Sequence, residues 1–200
     1  MLKRILFVLI ISSSISSCDK DRSRTVSYDN FDYQNNKASE LNSTGLNLAK
    51  NGKYNESIKY FEQSIKMEPN NPITLNNIGV AYYELGENYK SIEYLNRAIL
   101  ASDSSYYPAF SNLLNNYSVL NKTELSIELS SYSIKNSKDN FVTSWSYIHR
   151  INNYIKQGKC GLARKDYEHL IMKFPNDESI NIYFDDIDKD IKQCYDYHYP

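Results

Sequence analysis

The 200-residue chain has few of the residues that usually carry chemistry: 6 glycines, 5 prolines, 3 histidines, 3 cysteines and 1 tryptophan. No glycine-rich phosphate loop and no G-x-S-x-G elbow is present. His149, His169 and His198 include no pair at a helical ligand spacing, so no metal site is expected. The acidic run DDIDKD (185–190) lacks the glycine and closing glutamate of a calcium loop and reads as a solvated helix face. A formal net charge of -1, with no strongly basic stretch, argues against nucleic acid as a partner. The apolar run ILFVLII (5–11) is too short to span a bilayer, which takes about 20 residues. These absences predict a protein that is not an enzyme and needs no cofactor.

Tyrosine is abundant, at 19 residues, and suits half-buried helix seams and contact faces. The N-terminus reads as an export signal: basic MLKR, then the apolar run, then small residues. ISSC (15–18) resembles a bacterial lipobox. The resemblance implies a signal peptide over 1–17 and a lipidated N-terminal Cys18, the alternative being an ordinary signal with an incidental cysteine. Residues 18–37 then read as the lipidated cysteine and a flexible tether, reaching ~25 Å on average.

The remainder repeats itself. GKYNESIKYFEQSI (52–65) returns as GENYKSIEYLNRAI (86–99), 34 positions later. Leu41 recurs as Leu75, Gly45 as Gly79, Gly52 as Gly86, Ser57 as Ser91 and Ile65 as Ile99. A fixed period of this size marks a stack of supersecondary units. Gly52 and Gly86 suit left-handed helix ends. Gly45, Ser57 and Ser64, then Gly79, Ser91 and Ala98, let two helices approach closely. EPNNP (68–72) closes the unit with a turn. A third copy fits with one extra residue after Ser105, Asn121 replacing the turn glycine and Leu114 replacing a small residue. A fourth aligns through Gly158, Ala163, Tyr167 and Pro175, its first helix starting near Ser144. Ile180, Tyr183, Phe184, Ile187, Ile191 and Cys194 then form one helical stripe, as a terminal cap would.

With its 34-residue period and these residue types, the sequence resembles the tetratricopeptide repeat (TPR) family over 38–177, in four units: 38–71, 72–105, 107–140 and 144–177. The resemblance implies an all-α fold, a right-handed superhelical solenoid of antiparallel helix pairs, with 178–200 as capping helix and tail. It further implies a concave groove lined by first helices. The corresponding positions are Asn42, Asn76, Asn77, Val80, Tyr83, Ser111, Asn112, Asn115, Trp145, His149 and Asn152. Asparagine amides match peptide backbone, and Tyr83 and Trp145 are candidate anchors. A carboxylate clamp of the chaperone-binding type is not expected, because Asn42, Pro108 and Asn112 stand where its basic residues would be.

In that solenoid Cys160 opens a second helix and Cys194 lies near the end of the cap. In an exported chain whose Cys18 carries lipid, these two are expected to pair; two free buried thiols are the alternative. The function expected is a lipid-anchored, extracytoplasmic scaffold that binds a peptide or helix of a protein partner in the bacterial envelope, with the outer membrane favoured. The rival readings are an accessory subunit or enzyme acting on cell wall or glycan, and a structural surface lipoprotein.

Overall fold

The computed structural model describes residues 31–198. The expected signal peptide, Cys18 and the first part of the tether lie outside the described residues. Among the described residues every regular element is helical, and the helices fall into two units, Met1–Lys122 and Thr123–Pro200.

The first unit holds α1 (Asn36–Lys50), α2 (Tyr54–Met67), α3 (Pro72–Glu84), α4 (Asn88–Ala101) and α5 (Tyr107–Val119). Each helix packs on the next, and α3 also touches α1 and α5, as stacked antiparallel pairs require. The turn glycines act as expected: Gly52 and Gly86 have φ of 73° and 74°. The small helix residues are there for contact. A Cβ on Gly45 would lie 2.5 Å from Phe61 Cε1, and one on Gly79 would lie 2.7 Å from Leu95 Cγ. Phe61 and Leu95 fill that space and are fully buried. Ile58, Phe61, Ile78 and Ala81 form the core here, flanked by Leu46, Tyr82 and Tyr94.

The extra residue of the third copy is taken up after α4. Asp103 and Ser104 adopt φ of 48° and 66°, and the Ser104 N–H reaches back to Ile99 O at 2.8 Å. Ser102 Oγ then accepts from Tyr106 N at 3.0 Å, which steers the chain into α5.

The expected tether needs correction where it is described. Residues 31–35 are laid against the first unit. Phe31 meets Tyr106 edge-on at 5.5 Å, and Tyr33 Oη is 2.6 Å from Thr74 Oγ1. The Gln34 and Asn35 N–H groups both donate to Glu68 Oε2, at 3.2 and 3.3 Å. Burial, opposed by the Thr74 hydrogen bond, pushes the Tyr33 phenol up to about 12. Asn35 caps α1, which therefore starts two residues before the expected boundary. The segment is polar and aromatic rather than aliphatic, so no hydrophobic periodicity marks it.

The second unit holds α6 (Thr123–Asn136), α7 (Asn140–Lys156), α8 (Cys160–Lys173), a single turn α9 (Glu178–Asn181) and α10 (Phe184–His198). Helix α7 starts a turn before the expected Ser144, because Asp139 Oδ1 accepts from Val142 N at 3.0 Å. The expected single cap helix is interrupted at 182–183. The break directs Tyr183 against Trp145 and Phe184 against Tyr167, at 5.7 and 5.9 Å between ring centroids. Ile187, Ile191 and Cys194 of α10 are buried, and the helix packs on α7 and α8. Cys160 and Cys194 form a disulfide with a Cα separation of 5.7 Å.

Candidate functional site

In the first unit α1, α3 and α5 form a row of first helices. Asn77 Nδ2 donates to Asn42 Oδ1 at 2.9 Å, and Asn112 Nδ2 donates to Asn76 Oδ1 at 2.9 Å. Asn42 and Asn76 are buried, at 4% and 6% exposure, so these two do not offer free amides to a ligand. Ser111 is buried as well, at 8%. Half-exposed on the row are Asn77, Val80, Tyr83, Asn112 and Asn115. Burial, and then the neighbouring Glu84 carboxylate, raises the Tyr83 phenol above its ordinary range.

The α3 and α5 part of the row is almost without charge, whereas α1 carries Lys37, Glu40 and Lys50. Glu84 is the only acidic or basic residue of α3 and α5 together. Most of the helix charges of these repeats lie on the second helices, with Glu56, Lys59, Glu62 and Lys66 on α2 and Lys90, Glu93 and Arg97 on α4. Paired amides held in a fixed geometry, beside an aromatic ring and away from charge, suit an uncharged extended backbone.

The second unit treats its expected groove residues differently. Asn152 is exposed. Trp145 packs against the core of Ile151, Leu170, Ile180 and Ile187 while stacking on Phe141 at 6.1 Å and 8°. Its other ring neighbours are His149 at 5.5 Å and Tyr183 at 5.7 Å. His149 is 8% exposed, which corrects its assignment as a groove residue. Burial, and then the charge of Lys156, pulls its imidazole down to about 4, and Nε2 has no hydrogen-bond partner among the described residues.

Sequence reasoning missed two structural devices. Asn116 Nδ2 donates to Ser91 Oγ at 3.0 Å and to Asn112 O at 3.0 Å. Asn153 Nδ2 makes the same pair of bonds, to Ser126 Oγ and His149 O, both at 2.8 Å. An asparagine near the end of a first helix thus grips the small serine of the preceding second helix. The signal was present, since both serines hold the small position of their repeat. Arg150 was missed too. Its Nε and Nη2 fork onto Asp166 at 2.6 and 2.8 Å, and its Nη1 donates to Ser131 Oγ at 2.9 Å. This pair is largely buried and ties α7 to α8.

Among the described residues no three His, Cys, Asp or Glu side chains converge on a possible metal position. None of the described helices is long and apolar enough to cross a membrane.

Residues 45–99 match the family model for the TPR repeat. A TPR repeat-containing protein of Borreliella burgdorferi (strain ATCC 35210 / DSM 4680 / CIP 102532 / B31) is 33% identical over 70 residues. That match covers 35% of this chain and 30% of the relative, so it spans less than a third of the relative's length. The crystal structure of MamA protein is similar in fold, with a TM-score of 0.61 and 21% identity. It covers 80% of this chain and 91% of its own.

Proposed function

We propose that the chain is a scaffold that binds a segment of a partner protein on the α1–α3–α5 row, and that it does so outside the cytoplasm from a lipid anchor at Cys18 in a membrane of the bacterial envelope, with the outer membrane favoured. The observation that carries the binding reading is the row itself. Asn77, Val80, Tyr83, Asn112 and Asn115 share a nearly uncharged face whose amides are set by the bonds to Asn42 and Asn76. TPR repeats are in general binding scaffolds rather than enzymes, which agrees with the match over 45–99. The anchor reading is supported by the lipobox-like ISSC after an apolar run. Two acyl chains hold a protein at a membrane far better than one, at about 0.8 kcal/mol per buried methylene.

Binding is tested by placing a photo-crosslinking residue at Tyr83 in intact cells. The expected result is one specific protein adduct, lost when Asn77 and Asn112 are both changed to Ala. Adducts that are diffuse, or that survive those changes, would assign binding to another face. Anchoring is tested by Cys18→Ser, which is expected to release the protein from the membrane fraction and abolish labelling by a fatty-acid probe. Continued acylation of that variant would refute the anchor.

A further inference from the structure

The second unit exposes an aromatic and aliphatic patch that its own core leaves uncovered. Phe141 is 43% exposed and lies flat over Trp145, and Tyr183 closes on the same indole from the side. Ile182, the neighbour of Tyr183, is 66% exposed. Ile182 lies in the break between α9 and α10, next to the Tyr183 that packs on Trp145. Along the segment that carries Ile182 and Tyr183 the charge is of one sign between Lys173 and Lys189; Lys138, three residues before Phe141, is exposed as well. Residues 174–188 contain Asp177, Glu178, Asp185, Asp186 and Asp188 and no lysine or arginine. Arg164 and Lys192 both bind Asp188, at 2.8 and 2.7 Å. Glu178, Asp185 and Asp186 are exposed, and the last two lie within three residues of Tyr183.

We propose that this patch is a docking site for a basic, apolar protein segment: an aromatic or aliphatic side chain packed on Phe141, Trp145 and Ile182, with lysine or arginine beside it meeting Glu178, Asp185 and Asp186. The proposal deepens the binding reading above, on which it rests, by adding a second face with a different chemistry. Carboxylates in the first turn of α10 also complement the helix dipole. That role explains the position of Asp185 and Asp186 but not the exposure of Phe141 and Ile182. A cation also gains from the exposed ring of Phe141, so both parts of the patch favour the same partner.

The test uses the full chain with Cys18→Ser and three labelled peptides of about twelve residues. Each carries a leucine–phenylalanine pair, flanked by lysines, by glutamines or by glutamates. The lysine peptide is expected to bind at least ~10-fold more tightly than the glutamine peptide, and the glutamate peptide most weakly. Phe141→Ala and Ile182→Ser should each weaken the lysine peptide at least ~5-fold, with helicity by circular dichroism unchanged. Glu178→Gln, Asp185→Asn and Asp186→Asn combined should reduce the lysine preference to about twofold or less. Equal binding of all three peptides, a lysine preference that survives the triple variant, or no binding at ~1 mM would each overturn the proposal. Tyr83→Ala is expected to leave this binding unchanged. Loss in Tyr83→Ala, with Phe141→Ala unaffected, would sink the patch while sparing the α1–α3–α5 row.

Discussion

Asn77 and Asn42, one repeat apart, are joined side chain to side chain: Nδ2 of Asn77 donates to Oδ1 of Asn42 at 2.9 Å. The bond recurs from Asn112 to Asn76 at the same length, although that pair is separated by 36 residues rather than 35. The inserted residue is absorbed in the left-handed turn at Asp103 and Ser104, so the helix row keeps its register. The asparagines thus have a stacking role as well as a proposed recognition role. In a double-mutant cycle on Asn42→Ala and Asn77→Ala, followed by urea unfolding, the coupling is expected to be about 0.5–1.5 kcal/mol. Strictly additive losses would show that the pair is incidental.

Gly79 sits where α3 crosses α4, and a methyl there would meet Leu95 Cγ at 2.7 Å and Ser91 O at 3.2 Å. Leu95 is fully buried and has no open space to enter. Gly79→Ala should therefore destabilise the first unit by about 1–3 kcal/mol, despite the better helix propensity of alanine. Gly161 is the control, because its added methyl would find only Tyr195 Oη, at 3.7 Å. Gly161→Ala should be neutral or stabilising by up to about 1 kcal/mol. Equal effects at the two sites would refute the close-approach argument.

The disulfide between Cys160 and Cys194 closes a loop with a sequence separation of 34 and fixes α10 to the start of α8. By chain entropy it should contribute roughly 3–4 kcal/mol. Thiol titration of the unfolded, unreduced Cys18→Ser chain is expected to find no free thiol. After reduction, hydrogen exchange should accelerate first in α10. Protection that is uniform before and after reduction would mean that the cap is held by Ile187 and Ile191 alone.

His149 is expected to make the second unit acid-sensitive. Its folded value, near 4, lies below the ordinary 6.5, so the unfolded chain binds the extra proton more readily. Stability from this group is complete above about pH 6.5 and is lost as pH falls towards 4, by at most about 3 kcal/mol. Trp145, the single tryptophan, has its ring centroid 5.5 Å from that of His149 and reports unfolding of this unit directly. Denaturant midpoints followed by its fluorescence should fall more steeply between pH 6.5 and 4 in the native chain than in His149→Phe. Parallel curves would show that the imidazole is not held neutral by the fold.

The sequence by itself determined the helix pairs. A 34-residue period writes the same local signals repeatedly: glycine or asparagine where a left-handed end is needed, and a small residue where two helices touch. Such signals act over a few residues and can be read from one line of text. The pairing of Cys160 with Cys194 was also legible, because the period itself places the two at neighbouring helix ends. Only the tertiary structure decided which polar residues face solvent. Asn42, Asn77 and His149 are all polar residues of first helices, yet one is a buried acceptor, one a half-exposed donor and one an imidazole enclosed beside Trp145. The placement of 31–35 across Glu68, Thr74 and Tyr106 was hidden for the same reason. Hydrogen bonds between residues more than 30 positions apart leave no periodicity in the chain, and burial belongs to the packed neighbours rather than to the residue.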